Sequence, residues 1–81
     1  MERLTTKAEN SYRVQDPENA VLRLGLYEDM HQALEQEQED IPAKLTELRA
    51  AGKEKSVRYR ELLGRRLQNL TTLAMFRSRG L

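Results

Sequence analysis

Apolar residues in the last third of the chain recur at Tyr59, Leu62, Leu63, Leu67, Leu70, Leu73, Ala74 and Phe76. Spacings of three and four put them on one side of a helix. Ser56 ahead of them is a good N-cap, since its hydroxyl can accept from a free backbone N–H in the first turn. Gly80 suits the left-handed position that ends a helix, with Leu81 folding back behind it. Arg77 and Arg79 fall in the last turn, where positive charge matches the helix dipole. The pattern predicts a helix over 56–79, about 36 Å long at the standard rise. Gly64 inside it costs ~1 kcal/mol against alanine, and either marks a close helix–helix approach or is simply tolerated.

The middle of the chain repeats the theme. Asp16-Pro17-Glu18 is a helix start: a capping carboxylate, proline at the first helical position, then an acid near the positive dipole end. A helix over about 17–38 follows, with Gly25 marking a bend or break between Leu24 and Tyr27. A second stretch, about 41–51, ends on Ala50-Ala51-Gly52. Pro42 leaves two layouts. Asp40 caps a fresh helix with Pro42 in its first turn, or one helix runs from about Tyr27 to Ala51 and kinks at Pro42. The nearly continuous seam Tyr27, Met30, Leu34, Ile41, Leu45, Leu48 favours the kinked form slightly.

Residues 52–55 form a short turn, so the two long segments should lie antiparallel. In that register Leu48 faces the level of Tyr59, and Leu45 that of Leu62 and Leu63. Leu34 faces Leu73, and the acidic run Glu37 to Asp40 comes beside Arg65, Arg66 and Asn69. Residues 1–15 carry the β-favouring runs Arg3-Leu4-Thr5-Thr6 and Ser11-Tyr12-Arg13-Val14. They are expected as an extended N-terminal arm, either a small hairpin or a loose segment. The fold class expected is all-α. It comprises an extended arm (1–15) and a helical domain (16–81), the latter an antiparallel hairpin with an extra N-terminal helix or helical turn.

Charge adds an asymmetry. From Lys53 to Arg79 eight basic residues face two acidic ones, whereas residues 1–52 hold six basic and eleven acidic ones; the whole chain balances at +1. Such a split points to a polyanion site or to pairing between the halves. Lys53, Lys55, Arg58, Arg60, Arg65 and Arg66 are the candidate nucleic-acid contacts, where phosphates would bind with steep salt dependence. The alternative is a solvated or internally paired face, which the neighbouring acidic run favours.

Chemistry-bearing motifs are sparse among the 81 residues. Without cysteine there is no disulfide and no thiolate metal site. The four glycines are far apart and form no phosphate loop. His31 is the only histidine, and no serine or threonine motif surrounds it. Glu28-x-x-His31 has the spacing used by carboxylate-bundle metal sites, but a single copy lacks the remaining ligands. No enzyme activity, metal or cofactor is therefore expected. No apolar run reaches membrane length, and Met1 to Asn10 lacks the apolar core of a signal peptide. A cytoplasmic protein is expected.

A chain this short builds a small core, and a two-helix hairpin leaves apolar surface uncovered. Self-association into a two-fold dimeric bundle is the economical solution, with Tyr59, Leu63, Leu67, Leu70 and Ala74 as the candidate contacts.

The opening Met1-Glu2-Arg3-Leu4-Thr5 with the later Leu26-Tyr27-Glu28-Asp29 resembles short proteins of phages and integrative elements of Gram-positive bacteria. The tail from Lys55 to Gly64, through Leu70 to the closing Phe76, Gly80 and Leu81, resembles a second family of small helical proteins in the same setting. The matches cover about half the chain, and no activity or functional residue travels with them. What they imply is an origin in a mobile element. Proteins of that kind often bind a host factor. The expected role is a non-enzymatic interaction protein, with a nucleic-acid-binding accessory protein as the alternative.

Overall fold

The computed structural model describes residues 1–81. The elements in order are β1 (Thr5–Ala8), β2 (Ser11–Val14), α1 (Pro17–Ala50) and α2 (Val57–Ser78). The protein is mostly helical, but it is not all-α: the arm is a two-stranded antiparallel sheet. Thr5 pairs with Val14 and Ala8 with Ser11, so Glu9-Asn10 makes the two-residue turn. Glu9 takes φ 31° there, a left-handed value that a residue with a Cβ adopts only at some cost.

Two compact units divide the chain, Met1–Met30 and His31–Leu81. The division falls inside α1, between Met30 and His31. In the first unit the hairpin is accompanied by the opening turns of α1. Arg23 Nη1 donates to the Glu2 carbonyl at 2.7 Å, and the Arg3 guanidinium lies 6.0 Å from the centre of the Tyr12 ring. A hairpin of this size is barely stable alone, and the Arg23 bond ties the segment ahead of it to α1. Asp16 caps α1 as expected: the Asn19 backbone N–H donates to Oδ1 at 3.2 Å.

α1 is one helix of 34 residues. It passes through Gly25 without a break and through Pro42 as the continuous layout expects, but it starts at Pro17, not near Tyr27, and leaves no gap between 38 and 41. A Cβ on Gly25 would meet nothing within 4 Å, and one glycine among strong helix formers costs only ~1 kcal/mol. Pro42 removes one ladder bond and costs ~3 kcal/mol or more in a helix interior. The buried pair beside it offsets that cost. Ile41 and Leu45 are 2% and 4% exposed, each stabilising by about 1.5–3 kcal/mol through burial.

In the second unit α2 doubles back along residues 31–50 of α1. Ile41, Leu45, Tyr59 and Leu62 form the core, with Leu48 packed against it, in the register expected from the spacing. The connection is built from two caps. Gly52, at φ 70°, donates to the Arg49 carbonyl, and the Lys53 N–H reaches Leu48 O at 2.8 Å. This pair of hydrogen bonds is the left-handed helix ending that glycine permits. Ser56 then caps α2, accepting from the Tyr59 N–H at 3.2 Å while its hydroxyl donates to the Lys53 carbonyl at 2.7 Å. At the far end Gly80 (φ 88°) repeats the glycine ending, with Leu81 N–H bonded to Phe76 O at 3.0 Å.

Candidate functional site: the outer face of α2

α2 carries two apolar faces. The inner one buries Tyr59, Leu62, Asn69 and Leu73. Farther along, the rings of Phe76 and His31 lie 5.4 Å apart. The outer one is Leu63, Leu67 and Leu70, which are 43%, 65% and 57% exposed, with Ala74 also exposed. At about 100° per residue these four positions fall within an arc of about 60°. They make a narrow straight ridge of the kind that seats a second helix.

Tyr59 does not belong to this ridge, although the spacing grouped it there. It is 7% exposed within the core, and its hydroxyl accepts from Arg49 Nη2 at 2.6 Å. The Arg49 guanidinium also lies 5.9 Å from the centre of the ring. Burying a tyrosine requires a partner for its hydroxyl, and Arg49 on α1 supplies one. That inward partner takes Tyr59 out of the set available to a second chain.

The basic residues are divided among different surroundings. Arg65 makes a two-pronged bond to Glu37: Nε to Oε2 at 2.9 Å and Nη2 to Oε1 at 3.1 Å. Asn69 Nδ2 adds a third bond to the same carboxylate at 2.7 Å. The Arg65 hydrogen bond first, and that of Asn69 next, hold the Glu37 carboxyl below its ordinary pKa. Arg58 lines a groove of about 350 Å³ together with Glu37, Asp40, Lys44, Glu61 and Arg65, so its surroundings carry both signs. Lys53 borders a smaller hollow of about 280 Å³ beside Glu47. Lys55, next in the turn, is exposed. Arg60 and Arg66 lie on opposite sides of the Leu63–Leu67–Leu70 ridge by the same 100° count. Thus the six candidate phosphate contacts do not form one basic face.

Asn69 was placed near the acidic run by the sequence, but its role in the core was not recognised. It is the most buried polar residue, 2% exposed. The signal was present: Leu62, Asn69, Leu73 and Phe76 sit at core spacing, so a polar residue at 69 needs a buried partner. Gln38, opposite it, donates from Nε2 to the Arg66 carbonyl at 3.1 Å.

His31 Nε2 lies 3.6 Å from Glu35 Oε1. No group of three or more His, Cys, Asp or Glu side chains is placed to hold a metal ion. No helix is long and apolar enough to cross a membrane. In comparisons with family models, curated proteins and solved structures, the chain matches none.

Proposed function

We propose that this protein is a non-enzymatic helical interaction module that works through self-association, with the α2 ridge meeting a second copy. The observation that carries the reading is the ridge itself: three leucines and an alanine in register, exposed on a helix whose other apolar face is already buried.

On the resemblance of its opening and tail, the protein comes from a phage or an integrative element and acts in the cytoplasm. The assembled pair then binds a host or element protein. The nucleic-acid reading is weaker. Arg65 is engaged by Glu37, and Arg58 shares its groove with Glu37, Asp40 and Glu61.

Light scattering after gel filtration, from about 1 to 100 µM, tests the reading, taking micromolar affinity as the scale. The native chain should reach twice the monomer mass, and Leu67→Glu should remain monomeric with unchanged helicity. A native chain that is monomeric throughout that range overturns it. A duplex titration at low and high salt addresses the alternative, which requires binding that weakens steeply with salt.

A further inference from the structure

The α2 ridge needs a complementary surface, and the chain offers two. One is the same ridge on a second copy. The other is on α1: Leu22, Leu26 and Met30 follow at intervals of four and are each more than half exposed. Glu18 lies one turn ahead on the same row, and Asp29 lies beside Leu26 at the i+3 position. The two ridges are of similar length, about 12 Å from Leu22 to Met30 and about 16 Å from Leu63 to Ala74.

Charge separates the two candidates. Arg60, Arg66 and Arg77 edge the α2 ridge. If two α2 ridges paired antiparallel about a two-fold axis, Leu67 would oppose Leu70 and Leu63 would oppose Ala74. The same register sets Arg60 against Arg77 at both ends, and like charges across an interface disfavour that partner. The α1 ridge carries the opposite sign. Between residues 17 and 30 Glu18, Glu28 and Asp29 stand against Arg23 alone, whereas α2 holds five arginines and one glutamate. Pairing of α2 with itself leaves Leu22, Leu26 and Met30 bare, whereas a contact between α2 and α1 covers a ridge of each kind.

We infer that the α2 ridge of one copy docks on the Leu22–Leu26–Met30 ridge of a second copy, with Arg60, Arg66 and Arg77 facing the second copy's Glu18 and Asp29. This rests on the self-association reading and specifies its geometry. Because the chain has no cysteine, single cysteine variants report contacts without background. Leu26→Cys and Leu67→Cys are mixed below the dissociation concentration, concentrated together and oxidised. The mixture should give a cross-linked dimer joined between positions 26 and 67, identified by peptide mass. Either variant oxidised alone should give little.

A second arm uses charge. Arg66→Glu should weaken dimerisation by about tenfold, and mixing it with Asp29→Arg should restore it, as expected for paired charges at a rim. If light scattering shows a dimer but the cross-links join 67 to 67 or 26 to 26, this arrangement is overturned and self-association stands. If the native chain forms no dimer, both are overturned.

Discussion

Replacing Leu45 with alanine deletes three carbons from the centre of the α1–α2 seam. Leu45 is 4% exposed and belongs to the cluster of Ile41, Tyr59 and Leu62, with Leu48 against it. At ~0.8 kcal/mol per buried methylene the transfer loss is ~2.4 kcal/mol. The unfilled space raises the cost to ~3 kcal/mol, within the usual 2–5 kcal/mol for this substitution. A chain of this length has a total stability of ~4–12 kcal/mol, so the variant loses a large share. The assay is urea unfolding followed by circular dichroism, at a concentration where the protein is monomeric. With a slope of ~1 kcal/mol per molar, the midpoint should fall by ~3 M. Leu67→Ala is the control, because Leu67 is 65% exposed on the outer face. Its midpoint should move by less than ~0.5 M, as expected for a surface site. A Leu45→Ala cost below ~1 kcal/mol, or one equal to that of Leu67→Ala, would refute the assignment of inner and outer faces.

Two further perturbations test the junctions of the hairpin. The Glu37 carboxyl has a lowered pKa in the folded state, chiefly from the Arg65 hydrogen bond and then from Asn69. Its stabilisation is therefore complete above the unfolded carboxyl value of ~4.3 and is lost as pH falls through the lower folded value. Melting temperatures measured from about pH 6 down to pH 3 should fall more steeply for the native chain than for Glu37→Gln; parallel curves would count against the pairing. Ser56→Ala removes the acceptor for the Tyr59 N–H and should cost ~1 kcal/mol, read as a lower urea midpoint. No change would mean that the turn holds α2 without its cap.

Much of the architecture is written in short-range chemistry. Asp16-Pro17, Ser56, Gly52 and Gly80 mark helix ends because each satisfies, or permits others to satisfy, backbone groups within a few residues. Those signals depend on no distant contact. The register of Leu45 with Leu62 was legible for a related reason: a short turn and two three-four seams leave one antiparallel alignment. The same alignment brought Glu37 to Arg65 and Asn69.

Other features depended on energies that no local window contains. Whether α1 passes through Gly25 and Pro42 depends on local penalties set against helix propensity and the burial of Ile41 and Leu45, and that burial exists only once α2 is in place. Thr5–Val14 pair as a hairpin, and the segment before them is tied to α1 by the bond from Arg23 to Glu2. Most decisive for function is the rotation of α2 about its own axis. Its apolar residues span more than one side, so periodicity alone grouped Tyr59 with Leu63, Leu67, Leu70 and Ala74. Packing against α1 turned Tyr59 inward to Arg49 and left the other four facing outward. The apolar stripe was therefore determined by sequence, whereas the part of it left uncovered was decided by tertiary packing, because burial depends on which residues find partners.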